Sequence, residues 1–288
     1  MTSTPAAAPA NAGNAAQIEH WNGQAGETWA RLQDRLDRQL EPLGLMAMDQ
    51  AQIHKGWRIL DIGCGTGQTS LELASRVGPE GRVSGADISR PMLELARRRA
   101  EAGAVANASF TEADAQHHDF GHGAFDLVFS RFGVMFFADP VAAFANLRTA
   151  LRHGGRLNFV TWRPARDNQW VAVPMQAAFE HLPRPEAPAP GTPGEFAFAE
   201  PERVQSILHG AGFTDIAIEP RDAAIGGSSL DLTVDTMLSM GPIGALLREM
   251  PEKRDAVGDS LRKVIAPFAG PQGVRMGAAV WLVSAAAP

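Results

Sequence analysis

From Trp57 onward the chain alternates short apolar runs with stretches whose apolar residues recur every three or four positions. That alternation predicts strands threaded with helices, and hence a parallel sheet. Seven strands are expected, at Trp57 to Ile62, Arg82 to Asp87, Ala108 to Glu112, Phe125 to Arg131, Arg156 to Trp162, Phe213 to Glu219 and Met276 to Ser284. A helix should open at Ser89, with Pro91 in its first turn and Met92, Leu95, Ala96 and Arg99 on one side. Another should run from Asp139 through Phe144, Leu147 and Leu151 to a stop at Gly154-Gly155. The fold class that follows is α/β, a doubly wound, seven-stranded, mostly parallel sheet.

Three segments break the alternation. Residues 17–50 carry His20-Trp21, Trp29 and then Leu32, Leu36 and Leu40 at four-residue steps, which predicts an N-terminal helical cap. Residues 163–200 begin as a helix around Trp170, Val173 and Ala177 and turn Pro-rich from Pro183 to Pro193, which predicts a mobile connection. Residues 228–272 are helical in pattern, with Met237, Met240 and Met250 and breaks at Pro242, Pro251 and Pro267. Cap and insertions together are expected to roof a pocket. Residues 1–16 are mostly Ala, Pro, Asn, Ser and Thr, the composition of a disordered tail. They lack the basic start and apolar middle of a secretory signal, so a cytoplasmic protein is expected. The longest apolar stretch, Met276 to Ala287, falls short of the ~18 residues a membrane span needs.

Composition narrows the partners. With 45% apolar and 20% charged residues the chain is globular in type. Acidic residues outnumber basic ones, 32 to 26, and no basic run exceeds Arg97-Arg98-Arg99, so no polyanion-binding face and no nucleic-acid partner is expected. The single cysteine, Cys64, leaves no intrachain disulfide framework and no Cys-rich metal site, and is expected to fill space in a turn.

The richest stretch is Ile59-Leu60-Asp61-Ile62-Gly63-Cys64-Gly65-Thr66-Gly67-Gln68: an apolar strand ending in an acid, a glycine turn and a helical start. Such a loop lets a ligand approach bare main chain in front of a helix N-terminus. Dinucleotide loops space their glycines G-x-G-x-x-G, whereas Gly63, Gly65 and Gly67 are spaced two and two. Asp61 would also repel a pyrophosphate and attract a ligand with an ammonium and a sulfonium. Asp87, twenty residues past Gly67 at the tip of the second strand, is placed to accept hydrogen bonds from ribose hydroxyls.

Five segments in this order resemble a known family. They are Asp61-Ile62-Gly63-Cys64-Gly65-Thr66-Gly67, Asp87, Glu112-Ala113-Asp114-Ala115, Phe125-Asp126-Leu127-Val128-Phe129-Ser130 and Leu151-Arg152-His153-Gly154-Gly155-Arg156-Leu157. Over roughly residues 50 to 220 the chain is similar to class I S-adenosylmethionine-dependent methyltransferases of the small-molecule type, a group that includes the ubiquinone and menaquinone biosynthesis enzymes. His153, where that family usually has proline, and the helical insertion before the last strand are departures.

The resemblance implies a methyltransferase domain over 51–288. It implies that Gly63, Gly65 and Gly67 cradle the methionine portion of S-adenosylmethionine and that Asp61 holds its ammonium. Asp87 would hold the ribose, Asp114 with Ala115 would read the adenine edge, Ile88 and Met92 would pack on the ring, and Arg131 would lie near the methionine end. Methyl transfer by in-line displacement needs no metal, and none is expected. A general base helps a protonated acceptor. His20 is the candidate because the cap should fold over the methyl end. The acceptor is expected to be a flat or greasy small molecule held by Phe132, Met135, Phe136 and Trp162 with Trp21, Trp29, Met237 and Met240, and Arg163 and Arg166 could attract an anionic one. An NAD-dependent oxidoreductase and a non-catalytic S-adenosylmethionine binder are the alternatives, and a homodimer is compatible with the chain.

Overall fold

Ile59, Leu60 and Ile62 do not alternate with exposed residues, the mark of a strand covered on both faces. In the computed structural model, which describes residues 12–186, 188–189 and 191–288, that strand lies inside the sheet. β1 (Arg58–Ile62), β2 (Arg82–Asp87), β3 (Ala108–Glu112), β4 (Phe125–Arg131) and β5 (Leu151–Trp162) pair in parallel. β6 (Thr214–Gly226) and β8 (Gly273–Ala286) complete the order β3-β2-β1-β4-β5-β8-β6, with β8 antiparallel to both its neighbours and the two-residue β7 (Ala269–Gly270) paired to it. This is the expected doubly wound, mostly parallel sheet. Strand order reverses between β1 and β4, and the crevice beyond the carboxyl ends of those strands is where such sheets bind ligands.

The helices between the strands follow local signals. α4 (Gln68–Val77) starts on the glycine turn, and α5 (Arg90–Ala102) has Ser89 before it and Pro91 in its first turn. Asp139 caps α6 (Pro140–Ala150), its side chain accepting from the Ala142 N–H at 3.0 Å. α6 ends ahead of the Gly154-Gly155 stop that the pattern suggested. The glycines instead belong to a bulge in β5, where the register jumps from Phe125 opposite Leu151 to Leu127 opposite Arg156.

The cap consists of α1 (Ala12–Asn22), α2 (Gln24–Arg31) and α3 (Gln33–Ala51). α3 buries Leu36, Leu40, Leu43, Ala47 and Met48 along one side. Leu43 and Met48 sit in the main core at 0% and 2% exposure, each contributing roughly 1.5–3 kcal/mol. Of the expected tail, residues 1–11 lie outside the described residues, and 12–16 form the start of α1.

The insertions are joined in a way the linear pattern did not show. β6 and β8 keep pairing past the point where β5 ends opposite Val280, as far as Gly226 opposite Arg275, and so form a two-stranded ribbon. Beyond this ribbon lie α9 (Leu230–Ser239), α10 (Gly241–Glu249) and α11 (Arg254–Ile265). Their Val234, Leu238, Ile243, Leu247, Val257 and Leu261 share a second core with Ala177 and Ala178 of α7 (Gln169–Ala178). α8 (Pro201–Gly210) returns the chain to the sheet. Between α7 and α8 the Pro-rich stretch, of which Ala187 and Pro190 lie outside the described residues, ends in well-anchored chain: Gly194 N–H donates to Met135 O at 3.1 Å and Phe198 is 1% exposed. Among the described residues no single helix is long and apolar enough to cross a membrane; α9 and α10 reach that length only as a pair bent by 62°.

Candidate active site

The three loop glycines do three different jobs. A Cβ on Gly63 would lie 2.6 Å from Gly133 Cα, so glycine is needed there because two backbones touch where β1 and β4 diverge. Gly65, at φ +53°, has only Met92 Sδ near its vacant Cβ position, at 3.7 Å, and presents bare main chain to a cavity. Gly67 does not reach that cavity. Its missing Cβ makes room for Ala96 Cβ and the Phe110 ring, at 2.9 and 3.1 Å, so it serves the packing of α4 against its neighbours.

Asp61 and Asp87 also separate in role. Asp61 is fully buried beneath the loop, off the cavity wall. Its Oδ2 accepts from the Thr69 and Ser70 hydroxyls at 2.6 Å each, while Oδ1 has no partner. Burial pushes its carboxyl up from 3.8 to about 6, against the pull of the two hydroxyls and of Arg131. Asp87 stands on the wall at the end of β2, its two oxygens accepting from Gly65 N–H and Ser89 N–H at 2.8 Å each. It thereby braces the loop, and burial raises its carboxyl above the usual range while the backbone donors oppose that rise.

The wall continues through Ile88, Met92, Asp114 and Ala115. Asp114 Oδ1 accepts from Gln116 N–H at 3.0 Å, which fixes the turn after β3. Arg131 lies between the end of β4 and the cap, donating to Gln68 Oε1, and burial lowers its guanidinium despite the nearby Asp37 and Asp61. Cys64 is buried, its thiol raised by burial and by Asp87 and Asp61, which leaves it an inert filler.

From this end the cavity, of about 620 Å³, extends to a largely aromatic one. Phe132 stacks on Trp162 at 4.1 Å and 8°, and Trp162 meets Trp170 at 4.7 Å. Trp21 packs edge-on against Phe136 at 5.1 Å and Trp29 at 5.9 Å. Met135, Met237 and Met240 join the wall as expected. Trp170, Phe179, Glu195, Phe196 and Arg35 join it unannounced. The one available signal for Glu195 and Phe196 was an acid-aromatic pair inside a Pro- and Gly-rich tract.

His20 departs from expectation: it faces solvent, edge-on to Trp21 at 5.2 Å, and is not part of the wall. One residue along a helix turns the side chain by about 100°, so turning the half-buried Trp21 toward the cavity turns His20 outward. No other histidine lines the cavity among the described residues. Arg163 is also off the wall, paired with Asp222 and Asp167 at 2.8 and 3.1 Å, whereas Arg166 stands at the rim with 75% of its side chain exposed. The end of α1 is clamped over the β2–α5 turn. Asn22 donates to Ile88 O at 2.8 Å and accepts from Arg90 N–H at 3.0 Å, and Ser89 Oγ donates to Trp21 O at 2.6 Å.

Comparison with known proteins bears on this arrangement. Residues 59–155 match the family profile described as a methyltransferase domain. The chain is 37% identical over 155 residues to an aklanonic acid methyltransferase of Streptomyces sp. strain C5, covering 51% of this chain and 70% of that protein. It is 34% identical over 176 residues to a demethylmenaquinone methyltransferase of Deinococcus radiodurans, covering 58% and 72%. The solved YcgJ protein of Bacillus subtilis has the same fold, with a TM-score of 0.55 at 18% identity, covering 85% of this chain and 97% of that one.

Proposed function

The chain belongs to the class I S-adenosylmethionine-dependent methyltransferases, and from that premise we propose that it methylates a planar, largely apolar small molecule bound at the aromatic end of the cavity. The observation that carries the proposal is the continuity of one cavity of about 620 Å³. A single wall runs from Gly63, Gly65 and Asp87 to Trp21, Trp162 and Trp170. Its volume lies within the range of small-molecule sites. The acceptors named for the two relatives, aklanonic acid and demethylmenaquinone, agree with a small-molecule reading.

The residues present fit the cofactor. Bare main chain at Gly65 suits a ligand that touches backbone, and the buried Asp61 Oδ1 keeps an unmet acceptor for an ammonium or a bridging water. S-adenosylmethionine supplies, when bound, a methyl group made electrophilic by a positively charged sulfur. In this reading Asp87 accepts the ribose hydroxyls with the lone pairs that its backbone bonds leave free. Asp114 and the Ala115 backbone read the adenine edge, Ile88 and Met92 cover the ring, and Arg131 borders the methionine end. Phe132 and Trp162 offer flat surfaces for the acceptor, and Trp21 and Trp29 close the cavity from the cap, excluding water from the reacting atoms.

Calorimetric titration with S-adenosylmethionine, S-adenosylhomocysteine and NAD tests the cofactor half. Binding of the two sulfur ligands and not of NAD is expected, and binding of NAD alone refutes the reading. Transfer of labelled methyl into a metabolite extract tests the other half: label confined to macromolecules would remove the small-molecule acceptor.

A further inference from the structure

Arg35, Asp87, Asp114, Arg131, Arg166 and Glu195 are the charged side chains of the cavity wall among the described residues. Five of them are engaged. Arg35 pairs with Asp235 at 2.7 Å, Arg131 binds Gln68, and Asp87 and Asp114 hold backbone N–H groups. Arg166 stands at the exposed rim, 4.0 Å from Asp167. Glu195 alone has neither a hydrogen-bond nor an ionic partner among the described residues, and burial is the sole cause acting on its carboxyl, which it raises. Glu195 is half-buried on a wall rich in aromatic side chains, and a carboxylate partly withdrawn from water with no partner costs some stability. Such a cost persists where the group's partner is the substrate.

The chain around Glu195 is fixed. Gly194 N–H is tied to Met135 O at 3.1 Å, on the turn that follows β4, and Arg203 Nε donates to Ala197 O at 3.1 Å. Phe198 is anchored between Phe144 and Phe159, with ring centroids 6.1 and 6.3 Å away. Glu195 thus follows directly on the residue bonded to the Met135 carbonyl, in the turn after β4, and both Glu195 and Met135 line the cavity.

We propose that Glu195 is the acceptor-facing base of this enzyme and that the acceptor therefore presents an acidic hydroxyl, phenolic or enolic, to it. The inference rests on the methyltransferase reading and adds the substrate's chemical class. In the step, the bond from acceptor oxygen to the methyl carbon forms as the carbon–sulfur bond breaks. The electron pair of that bond stays on sulfur, and the hydroxyl proton passes to the Glu195 carboxylate and then to water. Glu195 fills the role that His20, facing solvent, does not.

Two probes of near-equal size and the same ring separate this from a structural role: 2-naphthol and 2-fluoronaphthalene, which lacks the hydroxyl proton. Binding is read from the fluorescence of Trp21, Trp29, Trp162 and Trp170, all on the wall. The native protein should prefer the naphthol roughly tenfold or more, the effect of a hydrogen bond to a charged group. Glu195→Gln should shrink that preference and Glu195→Leu should abolish it. Equal affinity for the two probes, no binding of either at millimolar concentration, or an unchanged preference in both variants overturns the proposal. For an acceptor found in the extract screen, kcat in Glu195→Gln should fall roughly 10²-fold or more, and a value within about twofold of native overturns it. S-adenosylhomocysteine is titrated in parallel into the native protein. Failure of that titration refutes the methyltransferase site itself, whatever the probes do.

Discussion

Gly65 and Gly67 are two residues apart and look alike in sequence, yet replacing each with alanine should fail in a different way. In Gly65→Ala the added methyl lies 3.7 Å from Met92 Sδ, an ordinary contact, so the folded protein loses only what a left-handed φ of +53° costs an L-residue. That cost is roughly 1–2 kcal/mol. The methyl stands on the surface offered to the cofactor, so S-adenosylhomocysteine affinity should fall about tenfold or more, as overpacking a fitted contact does. In Gly67→Ala the φ is +84° and the methyl would sit 2.9 Å from Ala96 Cβ and 3.1 Å from the Phe110 ring. Overpacking of roughly 1–3 kcal/mol is then added to the strain. Gly67→Ala should be the less stable protein in urea unfolding while the folded fraction retains most of its affinity in calorimetry. If both variants lose affinity to the same degree, or Gly67→Ala loses more, the division of labour assigned to the loop is wrong.

Other outcomes follow from the same contacts. Because burial raises the Asp61 carboxyl from 3.8 to about 6, the folded state holds a proton that the unfolded state has released, and stability should fall as pH rises through that window. The loss is on the order of 3 kcal/mol, is complete above the folded value, and should be missing from urea titrations of Asp61→Asn between pH 4 and 8. Asp87→Ala leaves the buried Ser89 N–H and the half-buried Gly65 N–H without acceptors, so unfolding free energy should drop by roughly 1–3 kcal/mol along with weakened S-adenosylhomocysteine binding; unchanged affinity would make Asp87 a brace and nothing more. Asn22→Ala removes two of the three bonds that clamp α1 to the β2–α5 turn, leaving only Ser89 Oγ to Trp21 O, and limited proteolysis should then cut within α1 much faster than in the native protein. Cleavage at the native rate would show that the Ser89 bond and the aromatic contacts of Trp21 hold the helix without Asn22.

Much of the fold was legible because its signals are local. β2, β3 and β4 occupy the expected residues, and Asp139 caps the helix its position announced. β6 and β8 run longer than their apolar cores suggest, since each is stabilised by the other in a ribbon that leaves the sheet. α6 stops before the glycine pair because β5 competes for Leu151. In the site, Asp87 stood out as an acid at a strand end and Asp114 through the family resemblance, and both reach the wall. His20 lies off the wall, because the helical phase that turns Trp21 toward the cavity turns its neighbour to solvent.

The resemblance of five motifs to the methyltransferases supplied the cofactor, and the sequence by itself determined the strand and helix order and the glycine turn between β1 and α4. Those features depend on backbone preferences and periodicity within a few residues, so they can be read in one dimension. Only the tertiary structure decided which glycine faces the cavity and which packs against Phe110, and that Asp61 lies beneath the loop while Asp87 braces it. It alone brought α1, the turn after β4, the Glu195 segment and the helices beyond the ribbon around one cavity. Residues so far apart in the chain are joined by burial of apolar surface, which is non-directional and leaves in sequence only the need to be buried, without naming the partner.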